Sequence, residues 1–437
     1  MKIGIIGLGF VGLSLASVLG SKKYNVVGID SDRKKVSTIL SGKSPFYEPK
    51  LDIMLKKALA KSLQISSDIQ FATSNCQLLF ITVGTPPSKD GYIDLTKVKQ
   101  VAKEIGEALS KTVNKPIIIV KSTVAPGTTN EVIKFILEKY SKKKAGVGFG
   151  IIANPEFLRE GKAVDDTISP HIVVIGGNDQ KSISRVKKFF LKMHGNKVPL
   201  IETNHQTAEL IKYANNSFLA TKISFINQIA SICQSLPETN VEDVVRAIGL
   251  DPRIGKLFLK AGPGYGGSCL PKDLQTLIKF SSRIGKKPIL LEAVRETNNF
   301  QVRNLMILIK EALQKIRGRR ISILGLSFKE GSDDIRESVS IKLIRLLLKK
   351  QAKIIVHDPK AIENTKMIFG DKISYADSVK AAIKGSHCTV IMTPWKEYSN
   401  LTNNDLRLMK RRLIIDSRRL LDRYKLDAEY HAIGIGE

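Results

Sequence analysis

Cysteine is scarce in this chain. Four thiols, Cys76, Cys233, Cys269 and Cys388, are scattered over 437 residues with no CxxC pair. That spacing argues against a disulfide framework or a zinc site and favours a reducing, cytoplasmic setting. The six histidines form no HExxH or HxxxH pattern, so no metal is expected. Long apolar runs are lacking as well. The uncharged stretch Ile3–Ser21 nears the length of a membrane span, but Gly4, Gly7, Gly9, Gly12 and Gly20 interrupt it. A soluble protein without membrane association is expected. Acidic residues are outnumbered, 41 against 70 basic ones, for a formal charge of +29. This balance favours anionic partners in general. The basic residues are dispersed, however, in short clusters such as those at 142–144, 318–320 and 410–412, with no aromatic-interleaved basic motif. No nucleic-acid partner is expected.

What is present is an alternation of short apolar runs and amphipathic stretches. KIGIIG, VVGID, LLFITV (78–83) and PIIIVKS (116–122) read as strands separated by helices. Such a pattern predicts a mostly parallel sheet covered on both faces. A long helix is expected over 207–236, where Ile211, Ala214, Phe218, Phe225, Ile229 and Ile232 share one stripe suited to packing between domains or against a partner subunit. The last third repeats the opening: RISILGLS (320–327) echoes KIGIIGLG, AKIIVHD (352–358) echoes NVVGID, and CTVIMTP (388–394) echoes LLFITVGTP. The architecture expected is α/β, with two Rossmann-like doubly wound domains joined by a long central helical segment. The boundaries fall at 1–203, 204–300 and 301–437.

Gly7, Gly9 and Gly12 form GLGFVG directly after a strand and at the start of a helix. Gly7 permits the turn, Gly9 lets a pyrophosphate approach the backbone, and Gly12 lets helix and strand pack. Asp30 ends the next strand, where a carboxylate accepts from a ribose diol and disfavours a 2′-phosphate. NAD is the expected cofactor. Four further stretches suggest chemistry: KSTVAPGTT (121–129), ANPEFLREG (153–161) with Glu156 and Glu160, AELIKYANN with Lys212 and Asn216 on one helix face, and GPGYGGSCLPKD (262–273) with Cys269. SFKEGSDDIRES (327–338) adds Lys329 and Arg336. Beside NAD, a thiol can add to an aldehyde, a thiohemiacetal can be oxidised to a thioester, and a carboxylate can assist its hydrolysis. Each residue also has a plainer reading, as surface charge, solvated lysine or structural thiol. Their combination is what points to a double oxidation of a primary alcohol.

These motifs, with SPFYEPKLD, VGTPP and LDPRIGKLFLKAGPGYGGSCLPKD, resemble the UDP-glucose 6-dehydrogenases in order and spacing across essentially the whole chain. The resemblance implies UDP-glucose as substrate, NAD as cofactor and a homodimer. It implies Cys269 as nucleophile, Asp273 as the acid near it, and Lys212 as the group that stabilises an oxyanion or takes the alcohol proton. Asn216 would bind the sugar, Glu156 would serve thioester hydrolysis, and Thr123 would support a water. Glu160 and Lys272 would contact cofactor or active-site water; Phe157 and Leu158 would join Glu156 at the substrate. Phe258, Lys260 and Gly266 would wrap the UDP-sugar, with Lys329 at its diphosphate or sugar and Arg253 reaching it across the dimer. Val11, Lys35, Thr85 and Arg336 would contact NAD, and Arg418 rather than Arg419 would lie near the uridine. Gln228 and the TPW at 393–395 depart from the usual pattern. Alternatives remain at this stage: the same chemistry on another UDP-hexose such as an N-acetylated one, a single oxidation, or a basic binding protein that keeps only the nucleotide shell.

Overall fold

Short runs of isoleucine, valine and leucine become strands. In the computed structural model, which describes residues 1–436, the first unit (Met1–Asn215) holds an eight-stranded sheet. Its strands are β1 (Lys2–Ile6), β2 (Asn25–Ile29), β3 (Leu63–Ser66), β4 (Leu78–Ile81), β5 (Ile117–Val120), β6 (Gly150–Ala153), β7 (Val173–Gly176) and β8 (Leu200–Thr203). They lie in the order β3-β2-β1-β4-β5-β6-β7-β8, and only β6 and β7 run antiparallel. The helices are α1 (Phe10–Ser21), α2 (Arg33–Leu40), α3 (Leu51–Leu59), α4 (Ile69–Asn75), α5 (Thr96–Ser110), α6 (Lys134–Ser141), α7 (Ala163–Ile168) and α8 (Gln180–His194). Successive strand residues face opposite ways. Ile3, Ile5, Phe80, Ile117 and Ile119 therefore pack with Leu13 and Phe189, whereas Ile6, Leu79, Ile81, Ile118 and Val120 pack with Val98 and Ile105. Both faces are buried, which is why these strands read as continuous apolar runs. The strand order reverses at β1, and in such sheets ligands bind outside the carboxyl ends of the strands at that point.

α9 (His205–Gln234) runs from the first unit into the second (Asn216–Glu437). There follow α10 (Val241–Gly249), α11 (Leu270–Arg283), α12 (Ile289–Leu313), β9 (Arg320–Leu324), α13 (Val339–Lys349), β10 (Lys353–His357), β11 (Ser374–Tyr375), β12 (Cys388–Ile391), β13 (Leu413–Asp416) and β14 (Glu429–Ala432). The six strands are all parallel, in the order β11-β10-β9-β12-β13-β14, so β9 repeats the place of β1. Ile226, Ala230 and Cys233 of α9 and Leu305 and Ile309 of α12 share one core with Ile321, Ile323, Val390, Leu413 and Ile415. Much of the expected central segment is thus built onto the C-terminal sheet.

The burial of α9 differs from a simple amphipathic helix. Its buried residues mix small and polar side chains, Asn216, Ser217, Ala220, Ser224, Asn227 and Ala230, with Tyr213, Ile226 and Cys233, while Phe218, Phe225 and Ile232 are 65%, 53% and 51% exposed. Of the expected stripe, Phe218, Phe225 and Ile232 lie exposed, whereas Ile211 and Ile229 are partly buried against hydrophobic cores.

Candidate active site

The cradle at the start of the first sheet is shaped by what its glycines meet. Gly7 has φ +97°, and a Cβ there would fall 2.9 Å from the Val83 backbone. A Cβ on Gly12 would come within 2.0 Å of the Gly7 carbonyl oxygen. Gly9, by contrast, faces open space, and it caps α1 without a side-chain hydrogen bond. The N–H groups of that first turn are available to an anion. Asp30 is buried at the end of β2: Oδ2 accepts from Leu8 N and Lys35 Nζ, both at 2.8 Å, and Oδ1 accepts from Asp32 N at 3.0 Å. An open glycine, an uncapped helix start and a fixed carboxylate fit a dinucleotide. Val11 lies in the first turn of α1, and Thr85 Oγ1 donates to Thr123 O at 2.8 Å, tying together the loops after β4 and β5.

Farther along the same unit, Lys212 of α9 is 3% exposed and donates to Glu156 Oε1 at 3.1 Å, its Nζ 5.3 Å from the Phe157 ring centroid. Glu156 Oε2 accepts from Leu158 N, which holds the NPEFLREG loop close. Thr123, Glu209 and Lys212 line one small pocket. Glu209, one turn before Lys212, accepts from Gly127 N and Thr129 N at 2.6 and 2.8 Å, and burial pushes its carboxyl up to about 7. Glu48 of the YEP motif is buried and accepts from Gly161 N and Ala163 N at 2.7 and 2.8 Å, so it clasps the loop beside Glu160. Sequence reasoning passed over Glu209 and Glu48. Their partners lie 80 to 82 and 113 to 115 residues away, and no local pattern marks such bonds.

In the second unit Cys269 is the N-cap of α11, and its Sγ lies 3.5 Å from Ser268 Oγ. That place favours negative charge on sulfur. Asp273, 1% exposed in the first turn of α11, accepts from Asn216 Nδ2 and Lys272 Nζ, each at 2.6 Å. Thiol, acid, amide and lysine thus sit within one cluster. The glycines just upstream of Cys269 lie close against other parts of the chain. A Cβ on Gly264 would strike Asn298 at 2.8 Å, on Gly266 the Glu337 carbonyl oxygen at 2.3 Å, and on Gly267 the Phe328 ring at 2.6 Å. A side chain at these positions would collide with the chain itself. Asn298 exchanges two hydrogen bonds with the Tyr265 backbone, and Asn227 Oδ1 accepts from Gly262 N; neither residue was marked in the sequence.

The other expected residues make local contacts, and Arg336 O also accepts from Gly267 N at 2.9 Å, in the loop that leads to Cys269. Arg253 is 87% exposed and forks onto Asp251, Arg336 forks onto Asp334, and Lys329 Nζ lies 5.7 Å from the Phe328 centroid. Phe258, at φ +63°, and Lys260 are exposed in the loop after α10. Arg419 is spent on Glu242, Ile433 O and Ala261 O, whereas Arg418 donates from Nε to Met392 O and stands against Gly262. The second sheet keeps the fingerprint in altered form. Asp358 takes the place of Asp30, but Trp395 Nε1 donates to it at 3.1 Å along with Leu326 N and Ser327 N. Among the described residues no group of three or more His, Cys, Asp and Glu side chains could hold a metal, and no helix is long and apolar enough to cross a membrane.

A dinucleotide cradle on one doubly wound sheet, a second such sheet, and lysine–carboxylate and thiol clusters define a two-sheet nucleotide-dependent dehydrogenase. The chain belongs to the UDP-glucose/GDP-mannose dehydrogenase family: that family's NAD binding domain matches residues 1–194, its central domain 206–300, and its UDP binding domain 322–423. NAD is its cofactor. The chain is 37% identical over 425 residues to the UDP-glucose 6-dehydrogenase AglM of Haloferax volcanii, covering 97% of this chain and 98% of that one. With the UDP-glucose 6-dehydrogenase TuaD of Bacillus subtilis it shares 39% over 438 residues, 99% and 93% of the two chains. Among solved structures it is similar to a UDP-glucose dehydrogenase from Pyrobaculum islandicum, with TM-score 0.93, 33% identity and coverage of 99% and 98%. A UDP-D-ManNAc dehydrogenase from Pyrococcus horikoshii gives 0.87, 26%, and 99% of both chains.

Proposed function

We propose that the chain oxidises C6 of UDP-glucose twice: UDP-glucose, two NAD⁺ and water give UDP-glucuronate, two NADH and three protons. The observation that carries this reading is α9, which holds Lys212 and Asn216 one turn apart, Lys212 bonded to Glu156 and Asn216 to the acid of the Cys269 cluster. NAD, when bound, accepts a hydride in each oxidation.

Lys212 takes the proton of the C6 hydroxyl as the aldehyde forms. The Cys269 sulfur then adds to the aldehyde carbon, with Lys212 and Asn216 holding the oxygen of the thiohemiacetal. A second oxidation leaves a thioester. Glu156, Asp273 and Thr123 position and deprotonate the water that releases the acid and returns the thiol. Glu160, Lys272, Phe157, Leu158, Phe258, Lys260, Gly266, Lys329 and Arg418 contact the ligands as the resemblance implies, and the outward stripe of α9 joins two copies of the chain.

Counting NADH per UDP-glucose with the purified protein tests the proposal. Two are expected, with uronate as product; a ratio of one would leave only a single oxidation. The likeness to the UDP-D-ManNAc dehydrogenase supports a second reading, the same chemistry on an N-acetylated UDP-hexose. A panel of UDP-sugars compared by kcat/KM decides between them.

A further inference from the structure

KSTVAPGTT begins with a lysine that the mechanism above does not use. Lys121 follows the last residue of β5, and its Nζ donates to Asn154 Oδ1 at 3.0 Å. Asn154 is 1% exposed, and its Nδ2 donates to Val174 O at 2.7 Å, so the amide is fixed with its oxygen toward the lysine. Lys121, Asn154 and Glu156 line a cavity of about 40 Å³ with Phe157, Asp166 and His194. The partner of Lys121 is therefore a neutral amide. Glu156, the carboxylate that acts on it, already gives Oε1 to Lys212 and Oε2 to Leu158 N. Lys121 and Lys212 thus both lie near Glu156, whose ion pair is with Lys212. Burial pushes Lys121 down to about 8, with Glu156 raising it and Lys212 lowering it further. Repulsion between like charges is mutual, so Lys121 acts on Lys212 in turn.

We infer that Lys121 is a positioning residue acting through Lys212: its charge, set in place by Asn154, opposes protonation of Lys212 and keeps that amine able to accept the alcohol proton. A lysine serves as a base only while neutral, and a neighbouring cation is an established way to keep it so. The inference rests on the reading of Lys212 as the base. The other groups around the pair are Glu156 from the loop after β6, Glu209 on α9 lining the pocket with Lys212, Asp166 of α7 paired with Arg159, and His194 at the end of α8. The carboxylates favour the charged lysine, and Lys121 works against them.

The pH profile of kcat/KM for the full-length protein, with saturating NAD and varied UDP-glucose, tests this. Activity falls on the acid side as Lys212 takes a proton. In Lys121→Met that limb moves up by about one pH unit, and kcat/KM at pH 7 drops roughly tenfold and recovers at higher pH. Lys121→Arg keeps the charge and leaves the limb in place. Asn154→Asp, which puts a carboxylate on Lys121 without removing it, moves the limb the same way as Lys121→Met and serves if the methionine variant does not fold. A limb unmoved in Lys121→Met, or in Asn154→Asp where that variant stands in, overturns the inference, as does an arginine variant that shifts like the methionine one. Lys212→Ala separates the two readings: it should lower turnover by roughly 10²–10⁴ and abolish the limb. If it does so while Lys121→Met leaves the limb in place, only the inference falls. If Lys212→Ala keeps rate and limb, the base assignment itself is wrong.

Discussion

The Cys269 sulfur stands where α11 begins, beside Ser268 Oγ, and a turn later the same helix brings in the buried carboxylate of Asp273. Asp273 has each oxygen engaged, one by Asn216 and one by Lys272, so it is held as an acceptor with its orientation fixed. A thiol so placed can be tested without disturbing the cluster, because alanine at an N-cap with no side-chain capping bond removes little from the helix. Cys269→Ala should fold normally and form no UDP-glucuronate, since the thioester has no sulfur to form on. Mass analysis of the product of a prolonged incubation checks this, and uronate formed at the parent rate would show that the acid arises without a covalent step.

At the level of elements, the loop after β5 and α9 are joined by Glu209. The loop continues into a π turn over Thr128–Ile133, and Glu209 grips the two N–H groups at its start, Gly127 and Thr129. Burial raises this carboxyl from 4.5 to about 7, so between those values the folded chain keeps a proton that the unfolded chain has released. The associated stability is fully present below pH 4.5 and is lost as pH rises through 7. Thermal unfolding from pH 5 to 8 should therefore show the parent losing on the order of 3 kcal/mol relative to Glu209→Gln, whose amide does not titrate. Parallel curves would mean that the carboxyl is not perturbed. Glu209 also marks where sequence reading stops. Strand, glycine turn and helix are local patterns, so β1, β2, β4, β5, β9, β10 and β12 and the Gly7–Gly12 cradle were legible. The YEP motif was visible, but that Glu48 clasps the residues after Glu160 depends on a pairing over a hundred residues long. The glycine shelf shows the same limit: a missing side chain tells that something comes close, and Gly266 and Gly267 turn out to meet Glu337 and Phe328 of this chain.

For the molecule as a whole, the outward face of α9 carries the argument. Phe218, Phe225 and Ile232 recur every seven residues, each more than half exposed, while residues such as Ala220, Ile226 and Ala230 are buried. An exposed apolar stripe of this kind marks an interaction surface. A second copy of the helix would cover it, because a seven-residue repeat suits helix–helix packing and a twofold contact matches a surface to itself. Arg253, 87% exposed and braced by Asp251, would then reach the partner's substrate, as the resemblance implies. This makes a prediction that a monomer could not satisfy. Arg253→Ala and Cys269→Ala should each be inactive alone, yet their co-expressed mixture should recover turnover, because a mixed dimer has one site with the sulfur from one chain and the arginine from the other. Adding Phe225→Glu to both chains should abolish that recovery and shift the protein to monomer in sedimentation. Recovery that survived the charged stripe would place the dimer contact elsewhere, and no recovery from a mixture shown to contain mixed dimers would mean that Arg253 serves its own chain.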